Sequence, residues 1–360
     1  MSTRRPTLLL TCGDPAGIGP EIAARVVLSA PLRRTARLVP VGDPEIFERA
    51  LHQAGSRAKV RPLDPRTFDP RRVESRAVAS GIPFLVSSDE GWTSVSPGHA
   101  TAGSGRAAAR SIEVAAGLAL EGKADGIVTA PISKHALHLA GTPHPGHTEF
   151  LGALTGARET RMLFVARRFR LLLATVHVAL RDVPSALTTP SLVRTIEFAA
   201  AAARNFGWGV KRPVAVLGLN PHAGEEGMFG DEEERVIAPA LREAMARGIR
   251  AEGPFPADTF FARLSGPVEK SRWGTVIALY HDQGLIAAKA DGIGGATNVT
   301  LGLPFVRSSV DHGTAFDRAW KGRRGAARPD PAGLATAVRV GADLALRAGR
   351  RGKPMEWKWP

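Results

Sequence analysis

Short apolar runs alternate with longer Ala- and Leu-rich stretches along the whole chain. TLLLTC (7–12), RLVPVG (37–42), DGIVTAP (125–131), PVAVLGLN (213–220), GTVIALY (274–280) and TNVTLGL (297–303) are near-continuous apolar runs, the pattern of strands buried on both faces. Between them, EIAARVVLSA (21–30), PEIFERALHQAG (44–55), AGSGRAAARSIEVAAGLALEG (102–122), SLVRTIEFAAAAARNFG (191–207) and DPAGLATAVRVGADLALRAG (330–349) place apolar residues at helical spacing. DEEERVIAPALREAMARG (231–248) predicts a further helix, with acids in its first turn and arginines later, as the helix dipole favours. Strand-helix alternation of this kind predicts an α/β fold built on a largely parallel sheet.

Local exceptions refine this picture. RMLFVA (161–166) and FRLLLATV (169–176) are joined by a basic turn and predict an antiparallel pair. Residues 61–101 are rich in Pro, Ser, Arg and Gly and predict a loop-rich arm with one or two strands, IPFLV among them. GPFPADTFF (253–261) reads as a loop, and the charged tail RRGKPMEWKWP (350–360) as a poorly ordered end.

Composition sets the class of protein. Hydrophobic content of 44% with 23% charged residues suits a soluble protein of 360 residues with one large or two moderate domains. Cys12 is the sole cysteine, so no intrachain disulfide forms and a reducing compartment is expected. The apolar run after the first arginines is too short for a secretory signal, and no run nears the ~18 residues of a spanning helix. Cytoplasmic residence is the expectation, with no membrane partner. The net charge of +14 raises nucleic acid as a partner, but the arginines are spread along the chain and aromatic content is only 6%. A solvated basic surface that steers small anions is the better reading.

Three histidines stand out by context. His177 in ATVHVALRDVP, His222 in VLGLNPHAGEEG and His281 in IALYHDQGL each follow a strand-like run and enter a polar loop. Open α/β sheets place chemistry beyond the carboxyl ends of their strands. Three imidazoles with an open fourth position are the ligand set of a catalytic divalent metal such as zinc or cobalt. A lone loop histidine would mean little; the repeated setting carries the reading. His52, His99, His135, His138 and His144 lack it and are taken as incidental.

GDPAGIGPE, APISKHAL, PGHTEFLG, HVALRDVP, GLNPHAGEEG, GPFPADT, YHDQGL and NVTLGLPFVRSSVDHGTAFD occur in order between residues 13 and 317. Together they resemble the 4-hydroxythreonine-4-phosphate dehydrogenase family of pyridoxal-phosphate biosynthesis. GDPAGIGPE and HGTAFD are also similar to motifs of the isocitrate and isopropylmalate dehydrogenases. The resemblance implies two α/β domains of that type with the active site in the cleft between them. It places the first domain at 1–136 plus 312–360 and the second, with the metal ligands and dimer interface, at 137–311. It implies a homodimer with shared active sites, in which one of His177, His222 and His281 serves the partner's metal.

The resemblance also implies substrate contacts at His147, Thr148, Lys289, Asn298 and Arg307, with Lys289 and His147 as candidate proton carriers. Asp311, His312, Gly313 and Thr314 match the cofactor segment. The implied reaction is NAD-dependent oxidation and decarboxylation of 4-phosphooxy-L-threonine, with NADP a possible substitute and zinc, cobalt or magnesium as the metal. A Lewis acid at the substrate hydroxyl would assist hydride loss, and Lys289 and Arg307 would anchor phosphate and carboxylate. Lys289 lies in LIAAKA, where desolvation would lower its proton affinity; a purely electrostatic role is the equal alternative. Asp282 and Asp258 are candidates to orient imidazoles, Asp258 alternatively capping a helix ahead of TFF.

GDPAGIGP is a glycine-rich turn opening a helix, a setting that binds anions, but GxGxxG is absent, so NAD follows from the resemblance alone. RAWKG after HGTAFD, and HDQGLIAAK, depart from the family's usual AGKG and HDQGLPVLK. The nearest rival substrate is a four-carbon phosphorylated sugar acid, 4-phosphothreonate or 4-phosphoerythronate. A phosphate acyltransferase would not need three convergent imidazoles.

Overall fold

A computed structural model describes residues 4–73, 81–87, 91, 95–209, 211–291, 296–322, 328–349 and 355–357. The chain divides into two compact units, Met1–Thr160 with Gly302–Met355 and Arg161–Leu301 with Glu356–Pro360.

The first unit holds β1 (Thr7–Thr11), β2 (Arg37–Gly42), β3 (Val60–Leu63), β4 (Ile82–Val86) and β5 (Gly126–Thr129). Its strands run β3-β4-β2-β1-β5, then β12 (Val306–Ser309), and every pairing among them is parallel. β1 is fully buried, as its unbroken apolar run requires. The loop-rich arm contributes both β3 and β4, while β12 comes from PFVRSS, which lacks an apolar run long enough to announce it.

The second unit holds β6 (Arg161–Val165), β7 (Arg170–Leu173), β8 (Val214–Leu217), β9 (Ala251–Phe255), β10 (Thr275–Ala278) and β11 (Thr297–Leu301). Its order is β11-β6-β7-β10-β8-β9. β6 and β7 form the expected antiparallel pair and β11 joins β6 antiparallel, while β7, β10, β8 and β9 are parallel. β9 corrects the expectation of a loop from Gly253. Ala251–Phe255 pairs with β8 through a register irregularity, a sheet-edge position that tolerates Pro254.

The unit edges at 160/161 and 301/302 differ from the expected 136/137 and 311/312. Packing gives the reason. Phe150, Leu151, Leu303 and Phe305 are buried in the same core as Leu9, Ile127 and Ile112, so the segments carrying them stay with the first unit. The second unit has its own core, in which Phe169, Leu171, Leu217, Ala278 and Leu285 are buried. Residues 350–354 and 358–360 of the tail lie outside the described residues. Within it, Trp357 packs against Phe198 and Phe206, with ring centroids 6.4 and 6.3 Å away.

Candidate active site

In the first unit a recess of about 140 Å³ lies beyond the carboxyl ends of β5 and β12. Thr129, Lys134, His147, Arg307, Ser309 and His312 line it, so three residues expected from the sequence converge here. His147 is the first residue of helix His147–Thr155, and a helix start turns unpaired N–H groups toward an anion. Arg307 is only 3% exposed, and its Nη2 donates to Thr129 Oγ1 at 2.8 Å. Burial pushes the Arg307 guanidinium down to about 10, opposed by the carboxylate of Glu149, so it stays cationic at neutral pH.

His147 Nε2 is shielded from solvent and has no hydrogen-bond partner among the described residues. Burial, reinforced by the Arg307 charge, holds the imidazole well below its ordinary range, so it is neutral at pH 7. A buried cation beside an unsatisfied imidazole is a site short of a polar ligand. Phosphate or carboxylate would complete it. Thr129, Lys134 and Ser309 were not predicted. Lys134 carried a signal, as the cation in the polar loop after DGIVTAP, while Thr129 and Ser309 read only as strand residues.

The predicted cofactor segment borders this recess through His312. His312 Nδ1 lies 3.0 Å from the Gly313 carbonyl, and Ile18 N–H donates to the Thr314 carbonyl at 3.0 Å. A Cβ on Gly17 would stand 2.8 Å from Thr314 Cβ, so only glycine lets the two loops meet. Trp320, from the RAWKG departure, locks this contact by donating Nε1–H to the Pro15 carbonyl at 2.8 Å. Gly313 faces open space, and Asp311 and Thr314 are half-buried, so the backbone of this segment is accessible.

Beneath the same turn sits Asp14, fully buried. Its Oδ1 accepts from Ala16 N–H at 2.9 Å, and its own N–H donates to the Pro131 carbonyl at 2.9 Å. Burial pushes its carboxyl up to about 6, despite hydrogen bonds from Ala16, Ser104 and Ser133.

The metal candidates belong to the second unit. His177 and His281 face each other with ring centroids 6.0 Å apart. His281 Nδ1 pairs with Asp282 Oδ1 at 2.6 Å, as expected of an orienting carboxylate, which leaves Nε2 free to ligate. This pair has the donor chemistry for a divalent metal. His222 stands apart from them, its ring 6.2 Å from Phe229. Among the described residues of one chain no three His, Cys, Asp or Glu side chains gather closely enough to hold a metal.

Lys289 and Asn298 lie in this unit too. Asn298 Oδ1 is buried without a partner among the described residues, while Nδ2 lies 3.7 Å from Met162 Sδ. The desolvation expected for Lys289 is absent in the single chain, where it is exposed in the last turn of helix His281–Ala290, with Leu285 and Ala288 taking the buried face. Among the described residues of the single chain, Asp258 neither caps its helix nor pairs with an imidazole. Pro256 holds the cap position of helix Ala257–Arg263 and Asp258 is exposed in its first turn.

A parallel α/β unit with a polar, cationic recess at its strand ends has the architecture of an enzyme site for a small anion. Comparison with known proteins narrows this. The profile described as pyridoxal phosphate biosynthetic protein PdxA matches residues 34–339. A 4-hydroxythreonine-4-phosphate dehydrogenase of Beijerinckia indica is 44% identical over 317 residues, 88% of this chain and 89% of that one. A D-threonate 4-phosphate dehydrogenase of Bordetella bronchiseptica is 40% identical over 324 residues, 89% of this chain and 88% of that one. The crystal structure of a 4-hydroxythreonine-4-phosphate dehydrogenase from Klebsiella pneumoniae superposes with a TM-score of 0.80 at 37% identity, covering 94% of this chain and 99% of that one. The protein is thus an α/β dehydrogenase. It belongs to the PdxA family. No helix among the described residues is long and apolar enough to cross a membrane.

Proposed function

We propose that this dehydrogenase oxidises and decarboxylates 4-phosphooxy-L-threonine to 3-amino-2-oxopropyl phosphate, using NAD and one divalent metal. The observation that carries the reading is the pairing of buried Arg307 with the unsatisfied Nε2 of His147 in a recess at strand ends. Arg307, Lys134, Thr129 and the start of helix His147–Thr155 grip an anionic group of the substrate. His147, neutral before binding, accepts a proton or donates a hydrogen bond at the same group. Thr148, Lys289 and Asn298 complete the substrate set, Lys289 through its charge. Asp311, His312, Gly313 and Thr314 hold the dinucleotide. His177, His222 and His281 would hold the metal, and metal and NAD together supply Lewis acidity and a hydride acceptor.

We further propose that the two units act as two domains and that the working form is a homodimer in which a second copy completes the histidine set. The exposed side chains around the histidines support this. Leu180 follows His177, Met228 follows His222 and Ile286 follows His281, at 69%, 76% and 68% exposure. Such apolar exposure marks a surface meant to be covered.

The second reading is a 4-phosphothreonate or 4-phosphoerythronate dehydrogenase, and its threonate form is favoured by the Bordetella bronchiseptica relative. NADH formation from each phosphorylated acid, with wild type and His222→Ala, tests both. The first reading requires the highest kcat/KM with 4-phosphooxy-L-threonine. No turnover of any of these substrates would remove both.

A further inference from the structure

The ends of β7, β10 and β8 deliver the three histidines, and polar side chains splice these ends together. Thr175 Oγ1 donates to the Leu279 carbonyl at 2.7 Å, joining the loops before His177 and His281. Leu279 N–H donates to Gln283 Oε1 at 2.7 Å, and Gln283 Nε2 donates to the Gly218 carbonyl at 2.7 Å. From there Leu219 N–H and Asn220 N–H donate to Glu233 Oε1 at 2.7 and 2.8 Å, and Asn220 Nδ2 to Glu233 Oε2 at 2.9 Å. The connection thus reaches the residue two places before each histidine.

The segment it ends on is strained. His222, Ala223, Gly224, Glu225 and Glu226 are consecutive residues with φ of 52°, 55°, 86°, 41° and 53°. Four of these carry a Cβ that crowds the backbone in the left-handed region, and such a run persists only where its surroundings impose it. The fit closes on Glu233. A Cβ on Gly224 would stand 2.9 Å from Glu233 Oε2, and one on Gly218 2.8 Å from Ala223 Cα. Glu233 itself is 7% exposed, at the start of a widened helical turn (Glu233–Ile237).

We infer that Gln283 and Glu233 are positioning residues for the histidine set: Gln283 splices the His281 loop to the strand leading to His222, and Glu233 clamps the left-handed turn that presents His222. The inference rests on the metal reading of the three histidines. An imidazole ligand must be aimed before the metal arrives, and partners that aim it typically govern affinity by 10–100-fold. Here the aiming acts through the backbone, because Gln283 and Glu233 hold main-chain groups of Leu279, Gly218, Leu219 and Asn220.

The test is Co²⁺ titration of the metal-stripped full-length protein, read by visible absorption and by chelator competition. Gln283→Leu removes both hydrogen bonds of the splice. Glu233→Gln keeps the volume but turns a donor toward donors. Each variant should bind Co²⁺ about 10–100-fold more weakly than wild type with its far-UV circular dichroism preserved. Should Gln283→Leu fail to fold, Glu233→Gln alone decides. A folded variant binding Co²⁺ within twofold of wild type overturns the inference, even if its melting temperature drops, since that is the mark of a merely structural role. Wild type that binds no Co²⁺, or His222→Ala that binds it as tightly as wild type, overturns the metal reading itself.

Discussion

Arg307 Nη2 donates to the hydroxyl of Thr129 at 2.8 Å across the parallel pair β12 and β5. This contact aims a buried guanidinium into the recess, because the strand register sets Ser309 beside Thr129 and leaves the Arg307 side chain to reach forward. Arg307→Met should raise KM for the phosphorylated substrate about 30–150-fold, the worth of a buried charge-assisted hydrogen bond of roughly 2–3 kcal/mol. Thr129→Val should raise it only a few-fold. Steady-state kinetics decides, and an unchanged KM in Arg307→Met would remove the recess from substrate binding.

His147 is neutral when the recess is empty, because burial and Arg307 disfavour its charge. An arriving anion reverses that balance and raises its proton affinity. Binding of sulfate, an anion that does not itself titrate in this range, should therefore take up protons near pH 6.5, detected as a calorimetric binding enthalpy that changes with buffer ionisation enthalpy. His147→Asn should abolish the dependence. The linkage to stability has a definite sign. A histidine depressed in the folded state destabilises it only when the pH falls below the unfolded value of about 6.5.

Asp14 is the opposite case, a carboxyl raised to about 6 by burial. Its folded state holds a proton that the unfolded chain releases above about 4, so its favourable contribution is present below pH 4 and lost as pH rises through 6. Asp14→Asn removes the buried charge and gives up one accepting oxygen. A net stabilisation of about 1 kcal/mol is expected at pH 7.5, fading below pH 4. Thermal melts across that range would contradict this if the variant were less stable at pH 7.5 than at pH 4, each relative to wild type.

Gly17→Ala places a methyl 2.8 Å from Thr314 Cβ and 2.9 Å from its carbonyl oxygen. The carbonyl oxygen is backbone, so the 311–314 segment must shift. KM for NAD should rise at least tenfold while KM for the phosphorylated substrate changes far less. Equal effects on both would argue against Asp311–Thr314 as the dinucleotide segment.

Leu180→Arg and Met228→Glu put charge on the exposed apolar side chains beside His177 and His222. If these patches meet a second copy, sedimentation should show a shift from dimer toward monomer, with activity falling in parallel. A dimer that survives both changes would place the subunit interface elsewhere.

Much of this molecule was legible in its sequence. Apolar runs such as TLLLTC announced parallel strands because a strand buried on both faces needs no polar alternation. The motifs around His177, His222 and His281 were visible because each sets a polar loop after an apolar run, the pattern of a strand end. β9 and β12 were not visible, since neither Ala251–Phe255 nor Val306–Ser309 has a pattern separable from a loop, and strand pairing alone places them.

Tertiary structure decided what local pattern cannot encode. It assigned residues 137–160 to the first unit because Phe150 and Leu151 are buried with Leu9 and Ile127, a contact between segments far apart in the chain. It exposed Lys289, because which face of a helix meets the core depends on what packs there. It also recruited Gln283 and Glu233, whose roles arise only where the ends of β10 and β8 come side by side. Residue type and order set which chemistry was available; long-range packing set which side chains stand close enough to perform it.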